Sequence, residues 1–164
     1  MNTNAATESF QARDAVHQQI QAQLARLVAW RDIVTDGGDV EDFRDQVGEI
    51  EAFFSETSRK HHEDEEKNVF PLLLNSPDDE LVQAVKTLQQ DHHWIELDWR
   101  ELAPMLRAIA QGEDWVDMAE LEHAVDVFTT LCQEHIELEE TLIYPEAKSK
   151  LAEVLAGRTP REAA

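Results

Sequence analysis

Cysteine is almost absent: Cys132 is the single one in 164 residues. It excludes an intramolecular disulfide framework and any zinc or iron–sulfur site built from several thiolates. Glycine and proline number five each, too few for a strand-and-turn architecture with many tight corners. No apolar run approaches the ~20 residues needed to span a bilayer, and the polar first twenty residues offer no signal-peptide core. Basic residues are scarce, 14 against 35 acidic, so the formal net charge is 14 − 35 = −21. Nucleic acid and anionic membrane both need a basic surface and are excluded as expected partners. A soluble, reducing, cytoplasmic setting is the expectation, with one domain spanning residues 1–164. What the chain does have is 42% apolar residues, 30% charged residues and seven histidines.

Apolar spacing predicts four long helices. The first runs from about Phe10 to Val34, with Ile20, Leu24, Leu27 and Val28 on one face, and stops at Asp36-Gly37-Gly38-Asp39. The second runs from about Val40 to Phe70, where Pro71 interrupts it. The third starts near Asp78, with Ser76 or Asp78 as its cap, and carries Leu81, Val85, Leu88, Ile95 and Trp99. Pro104 should kink it or end its regular part, although the pattern resumes through Ile109. The fourth runs from about Asp114 to Tyr144, and a short charged helix follows Pro145 to about Leu155. Residues 157–164 read as disordered. Four helices joined by short loops predict an all-α, antiparallel up-down-up-down four-helix bundle with a short C-terminal helical extension, its core at about residues 10–146.

The second and fourth helices end in related strings. HHEDEEKNVFP at 61–71 and HIELEETLIYP at 135–145 share five identities in eleven positions at an offset of 74. Both fit H-x-E-x-E-E-x-x-[VI]-[FY]-P. More faintly, His17-Gln18-Gln19-Ile20-Gln21 echoes His92-His93-Trp94-Ile95-Glu96. The chain thus reads as two helical hairpins of one plan. Counted from the loops at ~1.5 Å per residue, His17, His61, His92 and His135 all fall at one level of the bundle. Helix formation does not require that coincidence.

Residues four apart share a helix face. His61 continues the row Ile50, Phe53, Phe54, Thr57 and leads to Glu65. His62 and Glu66 lie one step round and read as solvent-facing. His92 continues Val85 and Leu88 and leads to Glu96, while His93 points elsewhere. His135 follows Phe128, Leu131 and Cys132 and leads to Glu139. His17 precedes Ile20 and Leu24, with Gln21 one turn on. His123 reads as a surface residue. The expected inward polar groups are therefore His17, His61, Glu65, His92, Glu96, His135 and Glu139, plus the Gln21 amide. A lone histidine on an apolar stripe is usually a satisfied core residue. Seven such groups at one level are different, since burying them unpaired costs several kcal/mol each, and metal coordination offsets that cost. Seven N/O ligands exceed what one zinc takes. They suit two ions sharing carboxylates, with iron favoured and manganese or zinc as the other candidates. Cys132 reads as small apolar filler.

These motifs, His17, HHEDEEKNVFP, DHHWIE and HIELEETLIYP, resemble those of the hemerythrin-like HHE cation-binding family over about residues 10–146. The resemblance implies a four-helix bundle around a non-haem di-iron centre that binds O2 or related small molecules such as peroxide and NO. Oxygen-carrying hemerythrins have a second histidine where this chain has Glu96, and they place their last carboxylate five residues after the histidine. Here Glu139 lies at four residues and Glu140 at five, which aligns the chain with the broader bacterial HHE proteins. Apportioned by position, Glu65 and Glu139 bridge together with an oxo or hydroxo group. One iron then takes His92, Glu96 and His135, and the other takes His17 and His61. The second iron keeps an open position beside Gln21.

The leading functional expectation is small-molecule binding for sensing, storage or stress defence. The alternatives are a di-iron oxidase- or peroxidase-type enzyme, an iron-handling protein, and a metal-free acidic scaffold. Trp94 and Trp99 are candidates for lining a small gas-accessible cavity, core packing being their default role.

Overall fold

The computed structural model describes residues 3–38 and 44–162, with side chains for 9–38 and 44–157. The described residues form four long helical rods. The first is α1 (Thr3–Thr35). The second joins α2 (Arg44–Ala52) to α3 (Ser58–Asn68) through a single π-helical turn at Phe53–Thr57, and a 3-10 turn at Phe70–Leu72 ends it. The third is α4 (Asp79–Ala110). The fourth joins α5 (Met118–Leu138) to α6 (Tyr144–Glu162) through a second π-helical turn at Glu139–Ile143. The rods pack as an antiparallel four-helix bundle with α6 as the C-terminal extension. The expected start of the second helix near Val40 lies outside the described residues.

Local chemistry sets the ends. Asp78 caps α4 by accepting from the backbone N–H of Glu80 at 3.1 Å and of Leu81 at 3.3 Å. Asp117 caps α5 in the same way through Ala119 and Glu120, each satisfying donors that the first helical turn leaves free. Gly37 and Gly112 take φ of +80° after α1 and α4. There Gly38 N–H bonds back to Ile33 O and Glu113 N–H to Ala108 O, closing both helices with a left-handed residue.

Two prolines lie within the helical rods. α4 runs through Pro104, because neighbouring packing holds Leu102, Ala103 and Leu106 in the core on either side of it. Pro145 stands at the start of the expected C-terminal helical extension, α6. It occupies the first turn of α6, where its missing N–H costs little, and the rod continues to Glu162, past the expected end near Leu155.

The inner residues of α1 step alternately by three and four: Phe10, Arg13, His17, Ile20, Leu24, Leu27. Those of α4 do the same through Leu81, Val85, Leu88, His92, Ile95, Trp99 and Leu102. This alternation keeps one seam facing the neighbours along the whole rod. The buried apolar side chains form two clusters. One is centred on Leu24, Leu27, Trp30, Phe54, Leu102 and Phe128. The other is centred on Phe10, Phe70, Leu81, Val85, Leu88 and Tyr144. All the buried histidines lie on the stretches of α1, α3, α4 and α5 that connect the two clusters.

Candidate metal centre

His17, His61, His92 and His135, one from each rod, meet in the bundle interior with exposures of 0%, 6%, 6% and 3%. Glu65 and Glu139 join them, both fully buried. The side chains fall into two groups, each with one donor atom per residue, all within 4.8 Å of one another. One group is His17, His61, Glu65 and Glu139. The other is His62, Glu65, His92 and His135.

The carboxylates link the groups. Glu65 Oε1 lies 3.3 Å from His61 Nε2 and 3.3 Å from His92 Nε2, which belong to different groups. Glu139 turns Oε1 to His135 Nε2 on its own rod and Oε2 to His17 Nε2, 3.6 Å away. Yet Glu65 Oε1 and both oxygens of Glu139 are buried without a hydrogen-bond partner. Three unsatisfied carboxylate oxygens beside imidazole nitrogens would be costly in a protein interior. The donor set, nitrogen and carboxylate oxygen without thiolate, fits two ions that share bridging carboxylates.

Acidic residues at the edge orient the rings. His92 Nδ1–H donates to Glu66 Oε1 at 3.0 Å, and His17 Nδ1–H donates to Glu140 Oε1 at 3.2 Å. Glu66 and Glu140 are 74 positions apart, so the repeat extends to these supporting contacts. Each fixes the tautomer that leaves the Nε2 lone pair turned to the centre. Burial pushes the His61 pKa down to about 4. Burial and the neighbouring histidines also lower those of His62 and His135. These rings are therefore neutral near pH 7, the form that binds metal.

His62 corrects the sequence reading. Expected at the surface, it is 8% exposed, and its ring stacks on His92 with centroids 4.1 Å apart. The cause is the π turn at Phe53–Thr57, which accommodates an extra residue and delays the helical phase. Ser58 becomes buried, Thr57 stays exposed, and His62 follows Ser58 onto the inner face beside His61.

Gln21 is corrected the other way: it is exposed and faces away from the centre. After His17 the inner row of α1 steps three residues to Ile20, which leaves position 21 outside. Glu96 occupies the corresponding position after Ile95 in α4. It is half-buried and enters neither group. Instead it lines a cavity of about 170 Å3 with Phe54, Ser58, His62 and Trp99. A smaller cavity of about 10 Å3 touches His17, His61, His135 and Glu139. Ser58, His62 and Ile95 border both cavities, so the larger one abuts the centre. Trp99 is buried there and donates to Ser55 Oγ at 3.0 Å, whereas Trp94 is 48% exposed. His93 and His123 are exposed. Cys132 borders the small cavity, and burial raises its thiol pKa, keeping it neutral.

Tyr144 is the other side chain that sequence reasoning passed over. It reaches the His17 group through its hydroxyl and stacks on His17 at a centroid distance of 5.0 Å. The signal was present in the repeat, where Tyr144 stands against Phe70.

An uncharacterized protein of Haemophilus influenzae (strain ATCC 51907 / DSM 11121 / KW20 / Rd) is 25% identical over 130 residues, 78% of this chain and 72% of the relative. No solved structure matches the chain. The family description "Hemerythrin HHE cation binding domain" fits residues 10–147, the stretch that holds every buried histidine and both buried glutamates of the described residues, and the chain belongs to that family.

Proposed function

We propose that this metal-binding protein holds two iron ions, with manganese or zinc as the other candidates, and binds O2 or a related small molecule such as peroxide or NO. The observation that carries the reading is the pair of buried donor groups sharing Glu65, with three carboxylate oxygens left without a hydrogen-bond partner. Iron at such a site supplies reversible binding or reduction of small oxygen- and nitrogen-containing ligands. The chain's own residues provide the rest. Glu65 and Glu139, each turned to histidines of more than one rod, would hold both ions. Glu66 and Glu140 hold His92 and His17 in the ligating tautomer. The apolar walls at Ile20, Ile95 and Ile136 keep bulk water from the small cavity. The larger cavity beside His62 gives the ligand its approach.

Iron analysis of protein purified without oxygen, followed by an absorption spectrum on admitting air, tests this. Two irons per chain and a new stable band are the expected result. Protein that takes up no metal under any loading condition would leave only an acidic helical scaffold. A second reading, a di-iron oxidase- or peroxidase-type enzyme, is favoured by the 170 Å3 cavity, which is roomier than a single water-sized molecule requires. Sustained O2 or peroxide consumption with an added reductant would select it over reversible binding. Sensing, storage and stress defence, and a cytoplasmic setting, remain parts of the proposal that cell fractionation and a deletion strain would test.

A further inference from the structure

Tyr144 is the sole tyrosine of the chain, it is 1% exposed, and its hydroxyl sits among the donor atoms of one metal group. It donates to Glu65 Oε2 at 2.9 Å. It also lies 3.1 Å from His17 Nε2 and 3.5 Å from His61 Nε2. Three acceptors thus surround one phenolic proton. Glu65 Oε2 accepts the hydrogen bond that this proton makes. With His17 Nδ1–H already directed to Glu140, His17 Nε2 turns a lone pair toward the phenol oxygen. A cation at the centre removes this repulsion. Donor atoms on one cation lie about 3 Å or more from one another, and the hydroxyl stands 2.9 to 3.5 Å from its three neighbours.

The repeat shows that packing alone does not require the hydroxyl. Phe70, 74 positions earlier, stacks on His92 as Tyr144 stacks on His17, at centroid distances of 5.4 Å and 5.0 Å. Phe70 fills its place without an oxygen. The reverse holds for His62, whose counterpart at the same offset is the buried Ile136. Each group therefore has one donor that its mirror position cannot supply.

Resting on the di-metal reading above, we propose that Tyr144 is a ligand, as phenolate, to the ion held by His17, His61, Glu65 and Glu139. The two metal positions are then chemically unlike. One takes an anionic phenolate oxygen, and the other takes the neutral His62 nitrogen. On metal binding the Tyr144 O–H bond breaks, its proton leaves to solvent, and an oxygen–metal bond forms without electron transfer. With Glu96 outside both groups, Glu65 and Glu139 supply two negative charges and the phenolate a third. An anionic oxygen donor favours the ferric state at its own position over the histidine-rich one.

Resonance Raman and visible absorption of the iron-loaded protein test this. The expected result is a visible phenolate-to-Fe(III) band that enhances tyrosinate ring modes, with the modes shifting when the protein carries ring-deuterated tyrosine. Because the chain has one tyrosine, the wild-type protein alone settles the assignment. Tyr144→Phe should lose the band and the modes even at an iron excess that fills both positions, and should load less completely than wild type at limiting iron. Wild-type protein with two irons and no tyrosinate modes would overturn the ligand proposal and leave the di-iron reading standing. Wild-type protein that binds no iron would overturn the di-iron reading itself.

Discussion

The Nε2 atoms of His92 and His135 face each other at 3.0 Å. The outer nitrogen of His92 is engaged with Glu66, and that of His135 is turned to Asp91 Oδ2 at 3.6 Å. With its Nδ1–H on Glu66, His92 turns a lone pair toward His135 Nε2, and a proton on His135 Nε2 or a metal ion between the rings satisfies it. Histidine, carboxylate and phenol contacts across the centre share this feature: more lone pairs converge than there are protons to satisfy them.

Metal removal should therefore destabilise the fold. A ligand present at a thousandfold over its Kd and bound only by the native state adds about 4 kcal/mol. For a chain of this size, that corresponds to a fall in Tm of ~10 °C on chelation. Two apolar clusters flank the site and extend well away from it, so the far-ultraviolet spectrum at room temperature should stay helical. Calorimetry before and after verified iron removal checks both points, and an unchanged Tm would contradict the coupling.

His62→Ala should lower the metal content, whereas His93→Ala, at an exposed position, should leave it unchanged. Glu96→Ala should also retain both ions, because Glu96 borders the cavity and not the donor groups. Metal analysis of the three purified variants decides this. Full loading of His62→Ala at limiting iron would remove His62 from the ligand set.

Glu66→Gln and Glu140→Gln should each weaken metal affinity without abolishing sites at saturating iron. The histidines they orient remain, but the ring tautomer is held less firmly. Outer-shell partners of this kind are worth roughly 10–100-fold in affinity. Competition with a graded series of chelators would measure the loss, and wild-type affinity in both variants would count against an orienting role.

Acid should destabilise the metal-free protein. The His61 pKa falls from its ordinary 6.5 to about 4 on burial. Between those values the unfolded chain binds more protons than the native one, so stability is present above the unfolded value and is lost as pH falls through the window. His62 and His135 shift in the same direction. For His61 alone the loss approaches about 3 kcal/mol. Urea midpoints of the chelated protein should fall between neutral pH and about pH 5, and His61→Phe should show a smaller fall.

Deleting Glu56 tests the π turn. The residue is exposed, so its side chain is dispensable. Without the extra residue the rod becomes regular α-helix with Phe54 and His62 seven residues apart, on one face, so both keep their inner places. Two ions per chain, with helicity retained, is the expected outcome. A deletion variant that loses metal while staying helical would show that the π turn does more than absorb one extra residue.

The sequence by itself determined the four-helix bundle, the two-hairpin repeat and the common level of His17, His61, His92 and His135, because these depend only on 3.6-residue periodicity and loop positions. It also determined that Glu65 and Glu139 face inward. Their histidines follow three-residue steps, from Ser58 to His61 and from Cys132 to His135, so the next inner step is four. His17 and His92 follow four-residue steps, from Arg13 and from Leu88. The next inner step is three, to Ile20 and Ile95, and Gln21 and Glu96 fall outside. Tertiary structure decided the rest. The π turn at Phe53–Thr57 turns Ser58 and His62 inward. The one at Glu139–Ile143 buries Ile143 and Tyr144 while Leu142 stays half-buried. No local propensity marks either turn. A π turn is unfavourable in an isolated helix and forms here because the contacts it creates, His62 on His92 and Tyr144 on His17, exist only between packed rods.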